Sequence, residues 1–425
     1  MQRILVLDSG REWGGGTNSL LELLRRIDRA RFDVTACFYH DYARGQGSSI
    51  SRELAALGIP FVRLPSRRQP LWAKLAKEVV RGVLAWHRGW RNRAVFAIER
   101  AWRIRPRAAA IATQLRQGQY DLLYLNNQPS SNLEGYLAGE MTGVPVVQHC
   151  RIDATLNAVE VAAANRVARA IICVSQGVAD SLRRQGIDDD RLVVVHNAID
   201  GAEPLPAPLP LPDIPPGALV VGTVGQLVKR KSVDDLLRAV QKVGADDATA
   251  LQGGRARNAL LAVADGGTAT AAPAANMGMA LHLLVVGEGP EHVALATLAE
   301  SLDIAGQVHF AGFQPQPLPW LAAMDIFVLA SGKEGLPRVI LEAMLLGKPV
   351  VAARAIGSTE LVVDGETGLL YDHGDTDGLA AHLARLGADP ALRERLGANG
   401  HARVLAEFSI ERYVAGVEAV LVAGA

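Results

Sequence analysis

With 425 residues, the chain is too long for one ordinary hydrophobic core, so we expect two or three domains. Its 44 Lys and Arg balance 44 Asp and Glu, so the overall charge indicates neither a nucleic acid nor an acidic partner. Three widely separated cysteines without metal-ligand spacing, and no uncharged stretch long enough to span a membrane, predict a soluble cytoplasmic protein without zinc or disulfides.

From the amino terminus, apolar runs of strand length alternate with helical patterns. The strand candidates are "RILVLDS", "FDVTACFYH", "IPFVRLP", "YDLLYLNN", "VPVVQHC", "RAIICVS" and "RLVVVHN". Helical patterns such as "TNSLLELLRRI" and "SISRELAALG" separate them. This order predicts βαβ units around a parallel sheet.

Residues 67–107 interrupt the alternation, because they hold 12 Lys and Arg against Glu78 and Glu99. Four of the chain's six tryptophans lie there, namely Trp72, Trp86, Trp90 and Trp102. The segment is either a set of ordinary helices with a solvated cationic face or an interfacial surface that binds anionic membranes. A nucleic-acid partner is not predicted, because no recognised nucleic-acid module surrounds the segment.

A proline-rich stretch divides the chain. Residues 201–217, "GAEPLPAPLPLPDIPPG", hold seven prolines in 17 residues, which fit neither a packed helix nor a central strand. Beyond it the alternation resumes with "ALVVGTVGQL", "LHLLVVGEG", "VHFAGF", "MDIFVLAS" and "KPVVAA". The fold class predicted is α/β, with two doubly wound Rossmann-like domains, residues 1–200 and 201–407, and a ligand at the carboxyl ends of the strands in the cleft between them.

An insertion separates two elements of the second half. Residues 245–279 contain 12 Ala and 5 Gly among 35 residues, where a short helix-to-strand loop is usual. We expect a surface excursion, of which residues 247–278 are replaceable by a short linker without loss of ligand binding.

Two glutamates, Glu334 and Glu342, flank a turn and an apolar helical run in "SGKEGLPRVILEAMLLGKPVV". Pro337 suits the first turn of a helix and Gly347 its end, so Glu334 precedes the helix and Glu342 lies inside it. Free backbone N–H groups at that helix start form a seat for phosphate, between two carboxylates that can bind sugar hydroxyls. Isolated surface acids are common, but a carboxylate in an apolar run needs partners, and ribose hydroxyls would serve.

Several stretches together resemble glycosyltransferase family 4, the group 1 transferases. The glutamate motif followed by "GSTELVVDGETGLL" is similar to the family's donor signature. Further similar stretches are "GGGTNSLLELL", "VPVVQHCR", "AIICVSQGVADSL", "VVVHNAID", "VGQLVKRKSVDDLLRA" and "LLVVGEGPE". The resemblance implies a GT-B fold with an acceptor-binding first domain, a nucleotide-sugar-binding second domain and a last helix, about residues 408–425, that packs back on the first domain.

The resemblance also implies roles for individual residues of the second domain. Glu334 would contact the hydroxyls of the donor sugar and Glu342 the nucleotide ribose. The residues that would offer backbone amides or shape to the sugar and diphosphate are Gly335, Leu336 and Pro337.

Lys231 matches the family lysine that neutralises the diphosphate, a catalytic task because the leaving group gains charge. One departure is Gln226, which stands where the family usually has arginine, so that a diphosphate contact is either missing or supplied by Lys229 or Arg230. A single lysine is more often solvated than functional, and only the motif position of Lys231 favours the functional interpretation.

In the first domain, Gly15 and Gly16 match glycines whose backbone approaches the donor phosphate and the acceptor. The alternative for them is a loop-shaping role. His149 matches the family's active-site histidine, and the alternative is a hydrogen-bonded polar residue at a strand end. The acids at 188–190 and at 375 and 377 are interpreted as turns, so no metal is predicted.

The function implied is retaining, metal-independent transfer of a sugar from a nucleotide-diphosphate sugar to a hydroxyl acceptor, without a cofactor. The basic segment adds an anionic membrane as partner, which suggests a lipid-linked or membrane-proximal acceptor in polysaccharide or glycolipid biosynthesis and a peripheral location at the inner face of the membrane. Two alternatives stay open: a sugar-nucleotide epimerase on a similar scaffold, and a catalytically silent sugar-nucleotide-binding protein, which Gln226 keeps under consideration.

Overall fold

The structure is a computed structural model that describes residues 1–10, 13–44, 47–65, 68–244 and 280–424. The Ala- and Gly-rich insertion lies outside the described residues, and its replaceability stays a prediction. The chain forms two compact units. The first comprises Met1–Ala198 with Ile410–Ala425, and the second comprises Ile199–Ser409.

The first unit contains a seven-stranded parallel sheet in the order β5-β2-β1-β6-β7-β8-β9. Its strands are β1 (Gln2–Asp8), β2 (Phe32–Phe38), β5 (Phe61–Arg63), β6 (Leu122–Asn126), β7 (Val146–Cys150), β8 (Ala168–Cys173) and β9 (Leu192–Val194). All seven coincide with the apolar runs of the first half, which confirms that prediction. A small antiparallel pair, β3 (Ala43–Arg44) and β4 (Ser48–Ser49), was not predicted.

The first unit also contains helices. They are α1 (Gly15–Arg26), α2 (Ile50–Ala56), α3 (Leu71–Val83), α4 (Arg88–Glu99), α5 (Arg105–Gln117), α6 (Leu133–Thr142), α7 (Ala158–Val167), α8 (Gln176–Arg184) and α16 (Ile410–Ala423). A π-helical turn, Arg100–Ile104, joins α4 to α5 immediately before Pro106, whose missing N–H disturbs the regular hydrogen-bond ladder. The basic segment is therefore largely helical.

The second unit contains a six-stranded parallel sheet in the order β12-β11-β10-β13-β14-β15. Its strands are β10 (Leu219–Val224), β11 (Leu281–Val286), β12 (Val308–Gly312), β13 (Ile326–Leu329), β14 (Val350–Ala353) and β15 (Gly368–Tyr371). Its helices are α9 (residues 233–244), α10 (His292–Ser301), α11 (Leu318–Ala322), α12 (Arg338–Leu345), α13 (Ile356–Leu361), α14 (Thr376–Ala388) and α15 (Pro390–Glu407). Of these six strands, only β15 was not predicted, because its apolar run directly follows the turn residues Asp-Gly-Glu-Thr and is difficult to separate from that turn.

In each sheet, the direction in which successive strands are added reverses once. In the first unit, β1 lies between β2 and β6, so the chain builds outwards from β1 in one direction and later in the other. In the second unit, β10 lies between β11 and β13 in the same way. The loops that follow two such neighbouring strands diverge to opposite faces and leave a crevice, where open α/β sheets commonly bind ligands.

The carboxyl-terminal helix α16 belongs to the core of the first unit, where Tyr413, Val417 and Leu421 are buried. Glu418 accepts hydrogen bonds from the backbone N–H of Asp28 (2.8 Å) and from Arg31 (3.1 Å). No helix among the described residues has both the length and the apolar character that crossing a membrane requires.

We expect Glu418→Ala to lower the free energy of unfolding by about 1 kcal/mol, because it removes the partly buried acceptor of the Asp28 N–H and the ion-pair partner of Arg31. Urea denaturation followed by tryptophan fluorescence measures the loss. Glu411→Ala, an exposed position on the same helix, is the control and should change stability by less than about 0.5 kcal/mol. Equal losses in the two variants would contradict this account of Glu418.

Candidate active site

Two glycine-bearing loops meet at the carboxyl ends of β10 and β11. The backbone N–H of Gly225 donates to the carbonyl of Val286 (2.9 Å), and that of Leu227 donates to the carbonyl of Glu288 (2.8 Å). A Cβ on Gly287 would lie 1.9 Å from the carbonyl oxygen of Gly225, so only glycine permits this approach. The contact fixes the course of the loop that continues to Lys231.

Lys231 and Glu334 meet across the crevice between β10 and β13. The Lys231 Nζ donates to Glu334 Oε1 at 2.5 Å, although 103 residues separate them along the chain. Arg230 lies 3.6 Å from the same oxygen. The side chains of Lys231 and Glu334 are 14% and 11% exposed, whereas that of Arg230 is 52% exposed. The structure thus brings together two of the predicted site residues and adds Arg230 as a second cation.

The turn that carries Lys231 is anchored by residues that the sequence did not single out. Ser331 donates its hydroxyl to the carbonyl of Arg230 (2.9 Å). Ser232 has a positive φ of 48°, a left-handed conformation that is costly for a residue with a side chain. Its Oγ lies 2.9 Å from His373 Nε2, and this bond ties the turn to the loop after β15. In the sequence, Ser232 appears only as a serine after Lys231, and nothing in this local pattern predicts its contact with the distant His373.

Helix α12 begins at Arg338, with Pro337 at its N-cap and no side chain capping its first N–H groups. Gly347 has a positive φ of 65° just after the helix, which confirms it as the terminator. Glu342 lies one turn inside the helix, and its Oε1 accepts from Arg338 Nε at 3.1 Å. Burial raises the pKa of Glu342, while the Arg338 charge acts in the opposite direction. Arg338 therefore donates a hydrogen bond to the Glu342 carboxylate, for which ribose hydroxyls were the predicted donors.

The remaining donor-site residues occupy the same two loops. Gln226 is exposed after β10, and its carbonyl accepts from the N–H of Val228 (3.0 Å). Gly335 and Leu336 are buried between Glu334 and the start of α12. Their backbone packs so tightly that a Cβ on Gly357 would lie 2.2 Å from the Gly335 carbonyl oxygen. Gly335 and Leu336 therefore lie on the buried side of the loop and fix its position through packing.

In the first unit, Gly15 and Gly16 open helix α1 directly after the loop that follows β1. Gly15 has open space where a Cβ would be. A Cβ on Gly16 would lie 3.7 Å from Arg151 Cγ and 3.8 Å from Asn127 Oδ1. The helix start thus adjoins side chains from the ends of β6 and β7, as expected for the crevice between β1 and β6.

A buried polar network lies beneath that helix start. Asp8 accepts hydrogen bonds from Asn126 Nδ2 (2.6 Å) and Asn127 Nδ2 (2.8 Å). Arg151 Nε donates to Asn126 Oδ1 (2.9 Å), and Arg151 Nη1 lies 3.1 Å from the Tyr413 hydroxyl. Burial raises the pKa of Asp8, and hydrogen bonds from Asn126, the Gly10 backbone and Asn127 oppose the shift. The sequence showed these residues only as polar positions at strand ends, so the network was missed.

His149 lies inside this unit rather than at its surface. It is 0% exposed, and its Nδ1 lies 2.5 Å from the Tyr124 hydroxyl. Within the described part of the chain, its Nε2 and the Nη2 of Arg151 have no hydrogen-bond partner. Burial lowers the pKa of His149 well below its usual value, and the Arg151 charge adds to the effect. The imidazole is therefore neutral at physiological pH.

Of the two acidic stretches that were predicted to be turns, the first forms a turn, and the second caps the start of a helix. Residues Asp189–Arg191 form a 3-10 turn. Asp375 accepts a hydrogen bond from the N–H of Gly378 (2.9 Å) at the start of α14. Across the residues that the structure describes, no cluster of three or more His, Cys, Asp or Glu side chains has the arrangement of a metal site.

Comparison with known proteins identifies the fold and then the family. The structure of Anabaena Alr3699/HepE in complex with UDP and glucose matches with a TM-score of 0.71 at 21% identity, covering 99% of each chain. Two parallel-sheet Rossmann-like units of this kind define the α/β GT-B fold. A family model described as Glycosyltransferase Family 4 matches residues 13–203, and one described as Glycosyl transferases group 1 matches residues 212–403.

Proteins of similar sequence are also named as glycosyltransferases. A D-inositol 3-phosphate glycosyltransferase of Thermomonospora curvata is 31% identical over 68% of this chain and 68% of its own. The lipopolysaccharide core biosynthesis glycosyltransferase LpsE of Rhizobium meliloti is 31% identical over 57% of this chain, and the match spans 60% of its own length. The chain therefore belongs to glycosyltransferase family 4, the group 1 glycosyltransferases.

The buried His149 predicts a pH-dependent contribution to stability. As pH falls through about 6.5, the unfolded chain binds a proton at this residue that the folded state does not, so the folded state loses stability towards acid. His149→Asn removes that proton uptake. The stability difference between wild type and His149→Asn, measured by urea denaturation, should therefore shrink from pH 8 to pH 5.

Tyr124→Phe is the control, because it removes the hydrogen-bond partner of His149 and keeps the titrating imidazole. Its stability difference from wild type should change less over the same pH range. A constant difference between wild type and His149→Asn would show that the imidazole titrates alike in both states.

Proposed function

We propose that the protein transfers a sugar from a nucleotide-diphosphate sugar to a hydroxyl acceptor, with retention of anomeric configuration and without a metal ion or other cofactor. The observation that carries the proposal is the contact between Lys231 and Glu334 at the crevice between β10 and β13, beside the uncapped start of α12. A cation, a carboxylate and the positive end of a helix dipole are the chemistry that a diphosphate linked to a sugar requires. The HepE structure, named as a complex with UDP and glucose, supports a donor of this class.

In the proposed mechanism, Lys231 exchanges its partner when the donor binds. Its ammonium group turns from Glu334 to the diphosphate and neutralises the charge that develops as the sugar–phosphate bond breaks. Glu334, released from the ion pair, accepts hydrogen bonds from hydroxyls of the donor sugar. Arg230 supplies the further cation where Gln226 replaces the usual arginine, because it already lies 3.6 Å from Glu334. The buried backbone of Gly335, Leu336 and Pro337 holds this loop in place.

Glu342 is the proposed ribose contact. Arg338 holds one of its oxygens at 3.1 Å, and 14% of the Glu342 side chain remains exposed. A carboxylate can accept several hydrogen bonds, so one oxygen can serve Arg338 while another accepts from ribose hydroxyls. Because burial raises the pKa of this group, the arginine also helps to keep it ionised and able to accept.

The first unit is the proposed acceptor-binding part. At the start of α1, where Gly15 and Gly16 lie, no side chain of the described residues caps the helix. His149 was predicted to be catalytic, and its burial supports a role exerted through the network of Arg151 and Tyr124 that supports this helix start. Names of relatives such as LpsE support an acceptor in polysaccharide or lipopolysaccharide biosynthesis. We propose a lipid-linked or membrane-proximal acceptor, with the basic segment, residues 67–107, attaching the protein to an anionic membrane surface.

A donor screen tests the proposed reaction. Purified protein is incubated with a panel of nucleotide-diphosphate sugars, with and without membrane extract, and both glycosylated product and free nucleotide diphosphate are measured. Transfer that depends on the extract supports the proposal. Release or interconversion of sugar without an acceptor would favour the epimerase, and donor binding without turnover would favour the silent binding protein.

Substitutions of Glu334 and Glu342 should affect different properties, namely turnover and nucleotide affinity. Glu342→Ala removes the proposed ribose contact, so both the donor and the free nucleotide diphosphate should bind at least about tenfold more weakly, as for a lost charged hydrogen bond. Glu334→Gln should leave the affinity for free nucleotide diphosphate nearly unchanged and reduce turnover. Isothermal titration calorimetry with free nucleotide diphosphate separates them, and equal affinity losses would refute this division of roles.

Lys231→Ala should lower kcat by roughly 100-fold or more, which corresponds to about 3 kcal/mol of lost transition-state stabilisation. Steady-state kinetics with saturating donor measures the loss. Lys229→Ala is the matched control, because Lys229 is an exposed cation in the same turn. Near-normal turnover of Lys231→Ala together with a large loss in Lys229→Ala would transfer the role to Lys229.

A further inference from the structure

Helix α3 exposes an apolar face. Leu71, Leu75, Val79 and Val83 recur every four residues and are between 62% and 78% exposed. At 100° per residue, this spacing places them along one broad side of the helix. Trp72 extends the same side. A contiguous apolar strip on the outside of a helix is unusual for a protein that buries its apolar residues, and such surfaces commonly bind another apolar surface.

The opposite side of α3 makes the contacts to the rest of the unit. Ala73 is completely buried. Lys77 forms an ion pair with Glu99 of α4, and its Nζ lies 5.5 Å from the ring centroid of Trp102. Glu99 also accepts from Arg103 Nε at 2.9 Å. Because these contacts already fix α3 against α4, the exposed face is not required for packing inside the unit.

Trp102 therefore differs from the other tryptophans of the basic segment. It is partly buried against Lys77, whereas Trp86 and Trp90 are 87% and 63% exposed. Trp86 lies in the turn between α3 and α4, and Trp90 lies in the first turn of α4. The exposed indoles thus lie at and beyond the end of the apolar face of α3, where they can extend it.

Exposed cations lie on α3 and on α4 of the same basic segment. Lys74, Arg88 and Arg93 are exposed, and no acidic partner contacts any of them among the residues that the structure describes. Arg81, by contrast, pairs with Glu78 at 2.6 Å. The surface therefore combines aliphatic side chains, indoles and unpaired positive charge.

We propose that the exposed face of α3, together with Trp72, Trp86 and Trp90, inserts into the surface of an anionic lipid bilayer. The helix would lie in the plane of the interface, with Leu71, Leu75, Val79 and Val83 immersed and the cations at the level of the headgroups. This inference rests on the proposed function, in which the basic segment attaches the protein to a membrane, and it specifies the helix face and the side chains that enter the lipid.

Charge decides between the alternative occupants of this face. A second copy of the chain would bring like-charged surfaces together, which is unfavourable, whereas anionic headgroups attract Lys and Arg side chains. A nucleic acid would satisfy the cations but would leave the four aliphatic side chains in water. Of these three occupants, only an anionic membrane offers partners for both sets of side chains.

The test is co-sedimentation of the full-length protein with vesicles of phosphatidylcholine alone and of phosphatidylcholine with phosphatidylglycerol. The double variant Leu75→Gln, Val79→Gln removes the centre of the apolar face, and we expect its partition coefficient on anionic vesicles to fall by about tenfold or more. The matched control is Val293→Gln, which changes an equally exposed valine of the second unit and should bind like wild type. Thermal unfolding of all variants checks that the fold is retained.

A second pair of variants tests the charges. Arg88→Gln with Arg93→Gln should weaken binding at low salt and should differ little from wild type at high salt, because screening acts over about 8 Å at physiological ionic strength. Arg395→Gln, an exposed arginine of the second unit, is its control. Wild-type binding should be accompanied by a blue shift of tryptophan emission that Trp86→Phe reduces.

Equal binding to neutral and anionic vesicles, or unchanged binding of the Leu75→Gln, Val79→Gln variant, would overturn the proposal. Concentration-dependent dimerisation of wild type that this variant abolishes would assign the face to a second copy. The assay contains neither donor nor acceptor. Absence of sugar transfer with intact vesicle binding would therefore count only against the proposed reaction. Transfer without vesicle binding would count against the membrane attachment and this inference, and would leave the proposed reaction intact.

Discussion

The contact between Lys231 and Glu334 depends on the order of strands in the second sheet. Residues 103 positions apart meet because β13 returns to lie beside β10 after the chain has built β11 and β12 on the other side. In the absence of a ligand, each charge satisfies the other, and neither is left unpaired in a largely enclosed place. The proposed donor has to replace that ion pair, so the same contact stabilises the empty loop and prepares its groups for a diphosphate and a sugar.

The first sheet has the same reversal of strand order, but the polar side chains there form a hydrogen-bonded network instead of an ion pair. At its reversal point, between β1 and β6, the buried groups are Asp8, Asn126 and Arg151, and they hold one another through hydrogen bonds rather than face outwards. Such a network is stable only when nearly every member has a partner. The consequence for function is a rigid support beneath the start of α1, where the glycine backbone remains open.

The exposed face of α3 is not needed for the fold of the first unit. Its core is complete without the outer face of α3, since Lys77, Glu99 and Trp102 already hold that helix. Leu75 and Val79 are therefore available for contact with something outside the unit, and the exposed cations of the same basic segment favour an anionic surface. An acceptor embedded in or attached to that surface would be brought near the protein without a specific binding pocket of its own.

Periodicity and composition determined most of the fold. Buried parallel strands are apolar runs, so the seven strands of the first unit could be predicted, whereas β15 was missed because its run directly follows a glycine-containing turn. The motifs likewise indicated Lys231, Glu334 and Glu342, because a phosphate seat needs a recognisable loop and helix start. Only the tertiary structure showed that Arg338 pairs with Glu342, that Ser232 and His373 anchor the turn, and that His149 is enclosed. Those facts rest on contacts between distant segments, and a local pattern carries no information about which side chains the sheet order brings together.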